Sequence, residues 1–203
     1  MISELVLASG NRGKLSEMQS LLGPAGIKVR TLADFSQEQA DETGLSFVEN
    51  AIIKARHAAA LSGLPALADD SGLEVDALHG RPGVYSARFA GPDADDAANN
   101  RRLLEEMVGI DAAQRTARFH CVMALMRSAS DPVPLICAAS WEGRILESPR
   151  GEQGFGYDPL FLVPALGRTS AELERSEKNR LSHRGQALAK LLTLLGQPSA
   201  SAL

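Results

Sequence analysis

LVLASGNRGKLSEMQSLL, residues 5–22, decides the fold class. It opens as a short apolar run, Leu5-Val6-Leu7-Ala8, and breaks off at Ser9-Gly10-Asn11. An apolar run this short, cut by turn residues, predicts a buried strand. From Lys14 onward Leu15, Met18, Leu21 and Leu22 recur at helical spacing, and Gly23-Pro24 ends the helix. A strand, a tight turn and a helix in that order begin an α/β protein.

Outward from this stretch the same reading continues. Residues 27–32 predict a second strand and residues 37–44 a polar loop. Ser46 and Glu49 match a capping box. The helix behind it turns Phe47, Ala51, Ile52, Ala55 and Ala59 inward and ends near Gly63. Residues 65–68 predict a short strand that runs into Asp69-Asp70-Ser71-Gly72, a combination of turn formers. Turns are expected at 80–83 and 91–93, and a helix at 96–107. Residues 118–126 and 135–145 are the clearest strand candidates, and the turn-like segment 128–134 between them predicts an antiparallel pair. A glycine-rich segment, 151–158, precedes an apolar run at 159–163. Thr169 or Ser170 starts a final helical region with Leu188, Leu191, Leu192 and Leu195 on its buried face, and 197–203 reads as a frayed tail. With no repeat and no linker composition, residues 1–203 read as a single domain. Helices and strands alternate early and strands cluster later, which predicts an α/β fold with a mixed sheet.

Composition narrows the function. The chain has 203 residues, 44% of them hydrophobic, which suffices for one ordinary core. Aromatics are only 4%, so that core rests on Leu, Val, Ile and Ala. A net charge of -4 argues against wrapping nucleic acid through bulk charge. Cys121 and Cys137 lack metal-ligand spacing and lie in apolar runs, so they read as reduced core thiols, with a disulfide between adjacent strands as the alternative. No apolar run reaches the ~18 residues of a membrane span, and residues 1–11 do not have the layout of a signal peptide. These features point to no membrane association and to the cytoplasm.

Four groups of residues carry candidate chemistry. Ser9, Gly10, Asn11, Arg12, Gly13 and Lys14 sit at a strand-to-helix turn, where free N–H groups, the helix dipole and two cations make a phosphate cradle. The spacing is not that of a Walker A loop, because Leu15 follows the lysine where a hydroxyl should hold magnesium. A plain turn with a surface lysine is the bland alternative. Asp41, Glu42, Asp69 and Asp70 are hard oxygen donors suited to magnesium. Solvated loop and turn formation compete with that reading, less well for two acids placed directly after an apolar strand. In Gly154-Phe155-Gly156-Tyr157-Asp158 the aromatic can stack on a base and Asp158 can accept from a ring N–H, or Phe155 can simply pack inward. Lys178, His183 and Arg184 can donate hydrogen bonds to a base carbonyl, against a polar helix face as the alternative. Tyr85, Ser86 and Arg88 form a polar cluster to which spacing assigns no role.

Six segments in order, SGNRGK (9–14), ETGLSFVENAIIKA (42–55), ADDSGL (68–73), PGVYSAR (82–88), GFGYDP (154–159) and SHRGQAL (182–188), resemble the inosine triphosphate pyrophosphatase family. These are the non-canonical purine nucleoside triphosphate pyrophosphatases, and the segments look most like the bacterial members. The resemblance runs from Leu5 to about Leu195. It implies an elongated mixed sheet flanked by helices, two lobes with an active-site cleft between them, a homodimer, and magnesium-dependent hydrolysis of ITP, dITP and XTP to the monophosphate and pyrophosphate. Carried over by position, residues 9–14 bind the triphosphate, with Arg12 at a variable place. Glu42 and Asp70 serve the metal, and Asp70 is also the general base. Ser71 contacts substrate. Phe155, Gly156, Tyr157, Asp158, Lys178, His183 and Arg184 hold the nucleotide, chiefly its base. Sequence leaves Asp69 as a second candidate for either role of Asp70. Two rivals stand beside this reading: a pyrophosphatase for other bases, and a sensor that binds nucleotide without turnover.

Overall fold

The structure, a computed structural model, describes residues 2–196. The expected frayed tail, 197–203, lies outside the described residues. A seven-stranded sheet has the order β2-β1-β3-β4-β5-β6-β7, formed by β1 (Glu4–Leu7), β2 (Lys28–Thr31), β3 (Ala66–Val75), β4 (Thr116–Met126), β5 (Leu135–Ile145), β6 (Phe161–Val163) and β7 (Arg168–Thr169). The sheet is mixed: β1 is parallel to β2 and β3, and β6 is antiparallel to β5 and β7. The helices are α1 (Arg12–Leu22), α2 (Phe47–Ser62), α3 (Asp96–Glu106), α4 (Arg175–Leu181) and α5 (His183–Leu194). The expected α/β class holds.

Two compact units divide the chain. The first draws on Met1–Asp70, Cys121–Ala139 and Arg184–Leu203, and the second on Ser71–His120 and Ser140–His183. In the first unit the strand pleat sorts residues by parity. Leu5, Leu7 and Leu67 pack with Met18 and Leu22 of α1 and with Leu188, Leu191 and Leu192 of α5. Val6, Ala8, Ala66 and Ala68 pack instead with Ala51, Ala55, Ala58 and Ala59 of α2. Both faces of β1 are therefore covered, which is why its sequence is apolar without alternation. Helix α2 starts as its capping box predicts, with Glu49 N–H on Ser46 Oγ at 3.4 Å and Ser46 N–H on Glu49 Oε2 at 2.9 Å. It stops at Gly63, whose φ of 69° is left-handed.

The second unit has its own core, in which Leu73, Val75, Leu103, Met107, Trp141, Ile145, Tyr157 and Leu160 surround an aromatic pair. The rings of Phe119 and Phe161 are 4.4 Å apart. A Cβ on Gly143 would run into the Phe161 ring and lie 2.7 Å from the Leu162 carbonyl oxygen, so the β5–β6 pairing requires glycine there. The apolar run 159–163 yields a strand of three residues only, Phe161–Val163, after a turn in which the Tyr157 carbonyl accepts Leu160 N–H.

The sequence reading has no strand at β7, and it has one final helical region where the chain forms α4 and α5, parted at Ser182 in extended backbone; β3 departs further. The strand expected to end at Ala68 runs on through Asp69, Asp70, Ser71 and Gly72 to Val75. A run of turn formers stays extended because its two carboxylates, 2% and 6% exposed, have cationic partners within the fold. Those partners remove the penalty for burying the acids in a central strand. The two cysteines are free and buried. Among the described residues no helix is long and apolar enough to cross a membrane.

Candidate active site

The parity of β3 also sorts the two acids. Asp69 follows Leu67 onto the face covered by α1 and α5. Asp70 follows Ala66 and Ala68 onto the face covered by α2. Adjacent residues thus enter two different charge clusters.

On the α1/α5 face Asp69 Oδ2 lies 3.2 Å from Lys14 Nζ and 3.3 Å from Arg184 Nε. Arg184 also binds Glu17, which stands one turn beyond Lys14 on α1. Burial works to raise the Asp69 carboxyl, but Lys14 and Arg184 outweigh it and hold it well below the usual carboxylate range. Asp69 is therefore an anion at any physiological pH. At the mouth of this cluster Asn11 caps α1, its Oδ1 accepting Lys14 N–H at 3.0 Å, and Ser9 Oγ accepts Asn11 N–H at 3.2 Å. Ser9, Gly10 and Asn11 form the turn, and Gly13 and Lys14 lie in the first helical turn. Arg12 begins the helix, and its side chain lies outside the described residues.

On the α2 face Asp70 meets two polar residues of one helical stripe. Lys54 Nζ is 2.7 Å from Asp70 Oδ1 and 3.0 Å from Glu42 Oε1. Asn50 Nδ2 donates to Asp70 Oδ2 at 3.3 Å, and Asn50 Oδ1 accepts Gly44 N–H at 2.8 Å, tying in the loop that carries Glu42. Burial pushes the Asp70 carboxyl up against the pull of Lys54. Burial also opposes the Lys54 ammonium, but Asp70, Asp69 and Glu42 together raise its pKa. Lys54 thus stays charged while Asp70 becomes a better proton acceptor than an exposed aspartate.

Glu42 and Asp70 fit a hard divalent cation. Their oxygens already converge on one cation, the Lys54 ammonium. Among the described residues no group of three His, Cys, Asp or Glu is gathered as an all-protein cage would need. Magnesium asks for less, taking one or two carboxylates and completing its shell with phosphate and water. Asp41 is exposed in the loop beside Glu42.

The second unit holds the other predicted residues. Asp158 organises the 154–158 loop: it accepts Phe155 N–H at 2.9 Å, Ser170 Oγ–H at 2.8 Å and Lys178 Nζ–H at 2.6 Å. Lys178 Nζ also lies 4.9 Å from the centre of the Phe155 ring. Gly154, at φ 82°, leaves room for the Asp158 carboxylate that a Cβ would occupy. Tyr157 is buried and its hydroxyl donates to the Ser86 carbonyl at 2.8 Å. Ser86 Oγ in turn accepts Leu73 N–H at 2.9 Å, which gives part of the 85–88 cluster a structural role. His183 begins α5 with its ring stacked 4.8 Å from Phe119. Ser71 is half-buried on β3.

Sequence reasoning missed Lys54, Asn50 and Glu17. Each is a polar residue on a buried helix stripe: Asn50 and Lys54 flank Ala51 and Ala55, and Glu17 precedes Met18. Polar residues at inward positions were the available signal. Arg184, grouped by sequence with Lys178 and His183, makes its ion pairs with Asp69 and Glu17.

The strand-to-helix turn of residues 9–14 and the two acid–base clusters on either face of β3 belong to one mixed sheet of an α/β fold. The chain belongs to the Ham1 family, whose model matches residues 5–194. It is 59% identical over 194 residues to a dITP/XTP pyrophosphatase of Photobacterium profundum, covering 96% of this chain and 98% of that one. It is 60% identical over 195 residues to one of Pseudomonas aeruginosa, with the same shares of 96% and 98%. Among solved structures a HAM1 protein from Coxiella burnetii superposes with a TM-score of 0.88 at 56% identity, covering 97% of this chain and 99% of that one. The Ham1 protein of Staphylococcus aureus gives 0.84 at 38% identity, with 95% and 98% covered.

Proposed function

We propose that this protein hydrolyses the non-canonical purine nucleoside triphosphates ITP, dITP and XTP to the monophosphate and pyrophosphate, clearing them from the nucleotide pool. The observation that carries the reading is the pair of clusters split by β3, one built to hold phosphate and one to hold a cation and accept a proton. The names of the relatives, dITP/XTP pyrophosphatases at 54–60% identity, support the substrate class.

Ser9, Gly10, Asn11, Arg12, Gly13 and Lys14 receive the triphosphate, with Asp69 fixing the Lys14 ammonium. Glu42 and Asp70 would hold magnesium, which when bound would supply positive charge to the phosphates and the leaving pyrophosphate. Asp70 takes a proton from water as its oxygen attacks the α-phosphorus. The bond from that phosphorus to the α,β-bridging oxygen breaks, and pyrophosphate departs in line. Lys54 keeps Asp70 oriented. Ser71 contacts the substrate.

Phe155 stacks on the base, and Gly156, Tyr157 and Asp158 shape its seat. Lys178, His183 and Arg184 supply donors to the nucleotide. Donors facing O6 suit hypoxanthine and xanthine and leave unpaired groups against adenine, a mismatch worth ~10⁴-fold or more. Cytoplasmic location and a homodimer belong to the same reading through the family resemblance. Neither nucleic acid nor a membrane is a partner in it.

Incubation with ITP, XTP, GTP and ATP separately, with and without magnesium, tests the proposal. Magnesium-dependent pyrophosphate from ITP and XTP, with little from ATP or GTP, is the expected result. Orthophosphate as product overturns the assigned bond, and tight ITP binding without product favours a sensor.

A further inference from the structure

The peptide of Gly156, inside the loop that carries Phe155, is gripped from both sides by the first turns of α3. Its N–H donates to Asp96 Oδ2 at 2.6 Å and its carbonyl accepts from Asn100 Nδ2 at 2.7 Å. Asp96 and Asn100 stand four residues apart, so one helix face presents both. The Asn100 amide has one workable orientation. Its Nδ2 faces the carbonyls of Asp96 and Gly156 at 2.7 Å each, and an oxygen there would meet only acceptors.

The helix does not need Asp96 as its cap. Asp95 does that, with Oδ1 accepting Ala98 N–H at 2.7 Å. The Asp96 carboxylate is thereby left to the Gly156 amide. Gly156 itself has a φ of 61°. A glycine populates many conformations with similar ease, so the local chain does not hold this one, and contacts must. Asp158 fixes the loop from Phe155 N–H on one side and Tyr157 anchors its far end on Ser86. The peptide between those anchors depends on α3.

We propose that Asp96 and Asn100 are positioning residues for purine recognition, holding the Gly156 peptide so that Phe155 presents its ring to the base. The inference rests on reading residues 155–158 as the base-binding segment. Loosening the grip lets the loop leave its binding conformation, so apparent affinity falls with the competent fraction while the reacting groups on β3 are untouched.

The test uses the purified full chain and the variants Asn100→Ala, Asp96→Ala and Asp96→Asn, assayed for pyrophosphate release from ITP and for product inhibition by IMP. For each alanine variant KM for ITP and the inhibition constant of IMP rise together by roughly fivefold, the loss of one hydrogen bond, with kcat kept. Asp96→Asn retains an acceptor oxygen and restores most of the affinity. A fall in kcat with KM unchanged, or kinetics equal to the parent's in both alanine variants, overturns the inference. If Asn100→Ala does not fold, Asp96→Ala and its asparagine rescue decide alone. A parent enzyme that releases no pyrophosphate from ITP overturns the functional reading instead, so the two failures are distinct.

Discussion

Asp69 and Asp70 share a peptide bond but not an environment, and their substitutions should fail in different ways. Asp70 is raised by burial and faces Lys54, Asn50 and Glu42. Asp70→Asn keeps the shape and removes the charge, so kcat should fall by at least ~100-fold with the fold intact. Steady-state rates beside a thermal unfolding curve check this, and near-normal turnover removes Asp70 from the chemistry. Asp69 is clamped by Lys14 and Arg184. Asp69→Asn leaves those cations without their shared partner, and stability should drop by roughly 3–5 kcal/mol. The carboxyl is held below its unfolded value. Its contribution is therefore full above the ordinary aspartate range near ~3.9 and is lost as pH falls below it. Denaturant midpoints measured from neutral pH to below that range should fall less steeply for Asp69→Asn than for the parent. Equal slopes count against the assignment.

At the scale of elements, β3 and α2 build the acid cluster together. The capping box at Ser46 and Glu49 sets the register of α2, and that register puts Asn50 and Lys54, one turn apart, on the same carboxylate. The helix and its cap were legible because they are local patterns. The length of β3 was not, because the residues that keep Asp69 and Asp70 extended come from helices elsewhere in the chain. At the β5–β6 pairing a similar dependence appears at Gly143, where a methyl group meets Phe161 and the Leu162 carbonyl. Gly143→Ala should cost about 1–3 kcal/mol through overpacking. A chemical denaturation curve measures it, and an unchanged midpoint would show that the strands separate without strain.

Across the molecule the two thiols report on the first unit as a body. Cys121 and Cys137 are buried and free, and burial pushes the Cys121 thiol up to about 12. A thiol reacts as its thiolate, so the native protein should resist a thiol reagent and expose two reactive groups on unfolding. Rapid labelling of the folded protein would contradict the packing described for this core. Taken over its whole length, the sequence by itself determined the α/β class, the main helices with the capping box of α2, most strands, and the residue types from which the site is made. Those follow from periodicity and capping, which need only near neighbours in the chain. The tertiary structure alone decided which acid meets which cation. Asp69 pairs with Arg184, 115 residues away, and Asp70 with Lys54, because strand parity sends them to opposite faces of one sheet, and each face has its own helices.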